Sequence, residues 1–144
     1  MARYVVPAFS LAMAFLAPPS VVGQATVFPR DYFDSVIVEQ TARSGIDYVA
    51  AYRAAARKNA KGLATLFRAT LFTDGAGAEQ HAGILWRELQ RWGDSAFANV
   101  LRAEPDAVRE KVRCDLDFAA CTDWAAHYPL TAHLAPQNAN CVCK

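Results

Sequence analysis

The chain is 144 residues long, with 15 Lys+Arg, 14 Asp+Glu and a formal charge of +1. With 53% hydrophobic and 20% charged residues, it has the composition of a globular domain and lies outside the disordered range. The near-neutral balance argues against a protein devoted to nucleic acid, and the length allows one domain.

Met1-Ala2-Arg3 is a short basic start, followed by an apolar stretch from Val5 to Ala17. Pro18-Pro19 stops any helix there, and Gly23-Gln24-Ala25 places small residues where a signal peptidase reads. This order predicts a secretory signal over residues 1–25, cut before Thr26, and a short linker over residues 26–30. The apolar stretch falls short of the roughly 20 residues that span a bilayer, so no stable membrane insertion is expected after cleavage. The expected location is secreted or periplasmic. There the four cysteines, all beyond residue 25, meet conditions that permit disulfides.

Residues 31–121 read as an all-α domain of about five to six short helices, arranged as a bundle or a stack of helical hairpins. Phe33, Val36 and Ile37 have helical spacing, although the β-branched run Val36-Ile37-Val38 leaves a strand as the alternative. Val49, Tyr52 and Ala56 mark a second helix from Ile46 to about Ala60, and Leu63, Leu66, Phe67 and Leu71 a third. After the Asp74-Gly75 turn, His81, Ile84, Leu85, Leu89 and Trp92 form the clearest amphipathic stripe. Gly93 suits a helix end, with Asp94 or Ser95 as the cap of the next helix, which carries Phe97, Val100 and Leu101. Pro105 then opens the last helix, running to about Ala120. Residues 122–144, with Pro129, Pro136 and Gln137-Asn138-Ala139-Asn140, read as an irregular tail packed on the helices.

Cys114 and Cys121 are the sharpest local signal, with Cys141 and Cys143 near the chain end. In a continuous helix seven residues span roughly 10.5 Å, beyond the ~7 Å Cα limit of a disulfide. The economical solution folds the tail back, so that Cys141 and Cys143 bond Cys114 and Cys121 in one of two pairings, with Phe118, Trp124 and Leu134 filling the contact. The rival solution breaks the helix near Asp117 and joins Cys114 to Cys121. Metal binding by the thiolates, with His127 or His133, meets unfavourable spacing, and the C-x-x-C redox pattern is absent.

No catalytic motif, metal site or cofactor fingerprint is recognisable. Gly75 and Gly77 lack the rest of a phosphate-binding loop, and His81 lacks a local nucleophile and carboxylate partner. A core-edge, hydrogen-bonded His81 is the plain expectation, and an enzyme built on His81 with carboxylates from other helices a residual one. Arg53, Arg57 and Lys61 recur every four residues with Lys58 beside them, a basic ridge expected on the second helix. Such a ridge is either a solvated face or a contact for an unidentified protein or anionic envelope polymer. Tyr48, Trp86 and Trp92 are side chains that anchor interfaces as readily as they fill cores. The functional expectation is a non-catalytic interaction module. The alternative is a thiol-redox or metal-binding protein of the cell envelope.

Overall fold

The computed structural model describes Phe33, residues 35–121, residues 123–135 and Cys141. The expected signal and linker, and Cys143, lie outside the described residues. Among those residues the chain is α-helical without strands. The helices are α1 (Ser35–Ala42), α2 (Tyr48–Ala56), α3 (Ala60–Ala69), α4 (Gly75–Trp92), α5 (Asp94–Leu101), α6 (Asp106–Ala120), α7 (Trp124–His127) and α8 (Pro129–Ala132). That is two more than the upper expectation of six, and both extra helices lie in the tail.

The β-branched run of α1 is helical, with one face turned into the core. Ile37 and Thr41, one turn apart, are fully buried, and the Thr41 hydroxyl donates to the Ile37 carbonyl at 2.8 Å. Burial against α4 and α2 outweighs the weak strand preference of these residues. Asp47 caps α2 by accepting from the Ala50 N–H at 2.9 Å. The helix ends at Ala56, short of the expected Ala60. Lys58 turns left-handed (φ +62°), and the Asn59 side chain caps α3 through the Lys61 and Gly62 N–H groups.

Helices α2 and α3 form a tight hairpin, and α4 packs along α6 as the long central pair. The predicted stripe of α4 is the buried one: His81, Ile84, Leu85 and Leu89 are at most 2% exposed. Trp92 is half-buried and its indole N–H donates to the Ala55 carbonyl at 3.1 Å. Phe67 of α3 meets Phe97 of α5 edge-on at 4.8 Å between ring centroids. Arg68 reaches across to the buried Glu104 in a two-pronged pair at 2.8 and 3.0 Å.

The tail departs from the irregular segment expected of it. Between residues 123 and 135 it forms α7 and α8, held by side chains of α5 and α6. Arg113 donates to the Ala132 carbonyl at 2.9 Å, pairs with Asp117 at 3.0 Å and lies 4.7 Å from the centre of the buried Trp124 ring. Trp124 in turn donates to Asp117 at 2.7 Å. Asp94, expected to cap its own helix, instead accepts from the Leu130 and Thr131 N–H groups, both at 2.8 Å, and so caps α8 from a distance.

Cys114 and Cys141 are disulfide-bonded across 27 residues, with Cα atoms 4.7 Å apart. This overturns the Cys114–Cys121 rival. The helix continues past Asp117 to Ala120, so the two residues stay a full two turns apart. Cys121, left-handed at the end of α6, is likewise disulfide-bonded. Of the three side chains expected to fill the contact, Trp124 is buried, Leu134 is partly buried and Phe118 stays 48% exposed.

The glycines of α3 and α4 give a two-sided test. A Cβ on Gly62 would stand 2.5 Å from Ala54 Cβ and 2.6 Å from the Ala55 backbone nitrogen, so Gly62→Ala wedges α2 from α3. It should cost about 1–3 kcal/mol despite better helix propensity. A Cβ on Gly83, in the middle of α4, meets nothing within 4 Å, so Gly83→Ala should stabilise by about 0.5–1 kcal/mol. Urea denaturation of the two variants reads both signs.

Candidate functional site

The α2–α3 hairpin concentrates positive charge. From Tyr48 to Thr73 the chain carries Arg53, Arg57, Lys58, Lys61 and Arg68 and no acidic residue. The expected ridge on one helix is not formed. The turn at residues 57–59 intervenes, so Arg53 lies on α2, Arg57 and Lys58 in the turn, and Lys61 on α3. These charges are not equivalent. Arg68 is answered by Glu104, and the Lys58 ammonium donates to the Arg91 carbonyl and lies 5.3 Å from the Trp92 ring centre. Glu88, fully buried and paired with Arg91, lies close enough to add a compensating charge to Lys58. Arg53, Arg57 and Lys61 are exposed and form no ion pair among the described residues. The nearest acid in sequence, Asp47, faces the same shallow pocket as Arg53 while capping α2.

A second cluster lies in the α4–α6 seam. His81 is fully buried rather than at the core edge. Its Nδ1 is 2.7 Å from the Tyr48 hydroxyl, and its Nε2 is 4.0 Å from Asp115 Oδ2. The Thr70 hydroxyl donates to that same carboxylate oxygen, and Lys111 approaches the other at 3.3 Å. Burial, helped by the Lys111 charge, pushes the His81 pKa down to about 3, so the ring is neutral. Desolvation therefore outweighs the Asp115 carboxylate, and the 4.0 Å approach is no salt bridge. With a carboxylate facing Nε2, the consistent tautomer carries its proton there, and Tyr48 donates to Nδ1. Nε2 then has no hydrogen-bond acceptor within reach. Burial also raises Asp115, against the Thr70 hydrogen bond and the Lys111 charge, and raises Tyr48 well above its ordinary value.

Beside this seam an open cleft of about 350 Å³ lies between α4 and α6. Ala78 and Glu79 come from α4, Lys111, Asp115 and Phe118 from α6, and the Cys114–Cys141 disulfide closes one side. His81 does not line the cleft. A carboxylate of the kind the residual enzyme expectation required faces the ring, and the imidazole is fully buried. Lys111 and Asp115 were readable as an i, i+4 pair. Thr70 and Asp115, 45 residues apart, and Tyr48 and His81, 33 apart, carry no local signal. His127 and His133 are exposed on the tail, and no group of three or more His, Cys, Asp or Glu among the described residues is placed to hold a metal ion.

No protein-family model, curated protein or solved structure matches the chain.

His81 gives the fold a defined acid response. Its folded value of about 3 lies below the ordinary 6.5, so between those limits the unfolded chain holds a proton that the folded chain lacks. Its contribution to stability is full above about 6.5 and is lost as pH falls towards 3, by about 1.4 kcal/mol per pH unit. Asp115 and Glu88, both raised in the folded chain, act in the opposite sense. His81→Gln keeps an acceptor for Tyr48 and removes only the imidazole part. The wild type should therefore lose stability relative to this variant between about pH 6.5 and 4.5. Paired urea titrations measure this, and a pH-independent difference would show that His81 is not held neutral.

Proposed function

We propose that the chain is an exported, non-catalytic binding module whose α2–α3 hairpin engages an anionic polymer of the cell envelope. One observation carries this reading: Arg53, Arg57 and Lys61 are exposed, close in sequence around one turn and without ion pairs among the described residues, in a hairpin with no acid. A solvated face balanced by neighbouring acids is the alternative; Glu88 and Glu104 are already engaged with Arg91 and Arg68, while Asp47, which shares a pocket with Arg53, caps α2. The signal-like start and the Cys114–Cys141 bond support export to an oxidising compartment. Among the described residues no helix is long and apolar enough to cross a membrane.

A second reading rests on the place of the disulfide. Cys114 and Cys141 both line the α4–α6 cleft, where an incoming dithiol could reduce their bond and leave as a disulfide. This is the envelope thiol-redox alternative in its most specific form.

The leading reading predicts retention on immobilised heparin, used as a generic polyanion, and binding to teichoic acid or lipopolysaccharide that weakens steeply with salt. The triple charge reversal Arg53→Glu, Arg57→Glu, Lys61→Glu should reduce that binding at least about tenfold, with an unchanged thermal midpoint to within a few degrees. Equal binding by the variant, or none by the wild type at low salt, would contradict the reading.

A further inference from the structure

We infer that Glu88 is an acid-sensitive latch on the basic hairpin: its buried carboxylate holds Lys58 against the end of α4 and, once neutral, releases that charge to the anionic partner. The inference rests on the reading of the hairpin as a polyanion site and adds how that site is regulated.

Lys58 differs from Arg53, Arg57 and Lys61 in being tied inward. Its backbone is left-handed (φ +62°), an unfavourable conformation for a side chain without special reason to adopt it. From there the ammonium donates to the Arg91 carbonyl, in the last turn of α4, where carbonyls lack partners within the helix. It also lies 5.3 Å from the Trp92 ring centre. Trp92 is itself fixed by its indole N–H, which donates to the Ala55 carbonyl at 3.1 Å. The end of α2, the turn at residues 57–59 and the end of α4 are thereby one cluster.

Glu88 is the acid of that cluster. Its side chain is fully buried; Oε1 accepts from Arg91, and Oε2 has no hydrogen-bond partner. An unanswered carboxylate oxygen in the interior favours the protonated form. Burial accordingly raises Glu88 above its ordinary 4.5, against the Arg91 charge, the Trp92 indole and the Lys58 charge. The effect is mutual, since partial burial lowers the Lys58 amine and the Glu88 charge opposes that shift. Tyr48 of α2 also senses Glu88, and its phenol stays neutral because burial raises it further.

With Glu88 ionised, Lys58 and Arg91 have a counter-charge beneath them, and the turn presents Arg53, Arg57 and Lys61. Proton uptake by Glu88 removes that counter-charge in mildly acid solution, above the range of an ordinary glutamate. Lys58 is then held by a neutral carbonyl and a neutral ring. A sulfate or phosphate group of the polymer is a stronger acceptor than either. Affinity for the polymer therefore rises as pH falls.

The full folded chain is titrated with dextran sulfate, whose charge is independent of pH, at about pH 8 and about pH 4.5. Comparison of variants at one pH removes the contribution of other titrating groups. Glu88→Gln, which copies the neutral acid, should bind about threefold tighter than the wild type at the higher pH and equally at the lower. Lys58→Met keeps the stem on Trp92 without the charge, on an exposed residue, and tests the latch even if Glu88→Gln does not fold. It should match the wild type at the higher pH and bind about threefold more weakly at the lower. Side-chain carbon NMR of the free chain gives a second readout, in which Lys58 Cε should follow the Glu88 Cδ titration with the same midpoint. A Lys58→Met defect equal at both pH values, or a Lys58 signal that ignores Glu88, would overturn the latch while leaving the hairpin reading intact. No binding by the wild type at either pH would overturn both.

Discussion

The burial of one imidazole constrains the centre of this molecule. His81 lies on the apolar stripe of α4, fully enclosed, and its nitrogens can be answered only by groups from other elements. Tyr48 of α2 meets one, and Asp115 of α6 faces the other from 4.0 Å, itself tied to Thr70 after α3. Four segments thus converge on one ring. An unanswered buried N–H costs about 1–3 kcal/mol, so the arrangement lowers stability locally while fixing how α2, α4 and α6 register. The neutral ring is what makes the burial tolerable.

Around this centre the charged side chains differ in how they are used. The α2–α3 hairpin presents basic side chains, while α6 and the start of the tail carry Glu110, Asp115, Asp117 and Asp123. The acidic groups of α6 are mostly spent on structure. Asp117 holds Arg113 and Trp124, and Asp115 holds Thr70 and Lys111. Arg53, Arg57 and Lys61 of the hairpin form no ion pair among the described residues.

Much of the fold was legible because it is local. Six helical segments followed from periodicity and turn residues, and the two-turn separation of Cys114 and Cys121 on α6 directed the disulfide to the tail. What misled was equally local. The Ala-rich run through Arg57 and Lys58 has no Gly or Pro to mark a break, so the turn before the Asn59 cap is not visible in the apolar spacing of the second helix. Asp94 or Ser95 suits the cap of the helix they begin, and nothing in sequence says that the Asp94 carboxylate crosses 36 residues to cap α8. The pairs Tyr48–His81 and Thr70–Asp115 join distant segments, the first by the packing of α2 on α4 and the second by that of the turn after α3 on α6. The basic side chains were visible as residues, but their differing compensation depends on Glu104, Arg91 and Trp92, which lie on other elements.

The most direct measurement is a map of amide NMR shifts on addition of a soluble polyanion at low salt. Shifts confined to residues around Arg53, Arg57 and Lys61 are expected, with the α4–α6 cleft silent. Shifts centred instead on Lys111 and the cleft, or spread evenly over every surface lysine and arginine, would contradict a dedicated role for the hairpin.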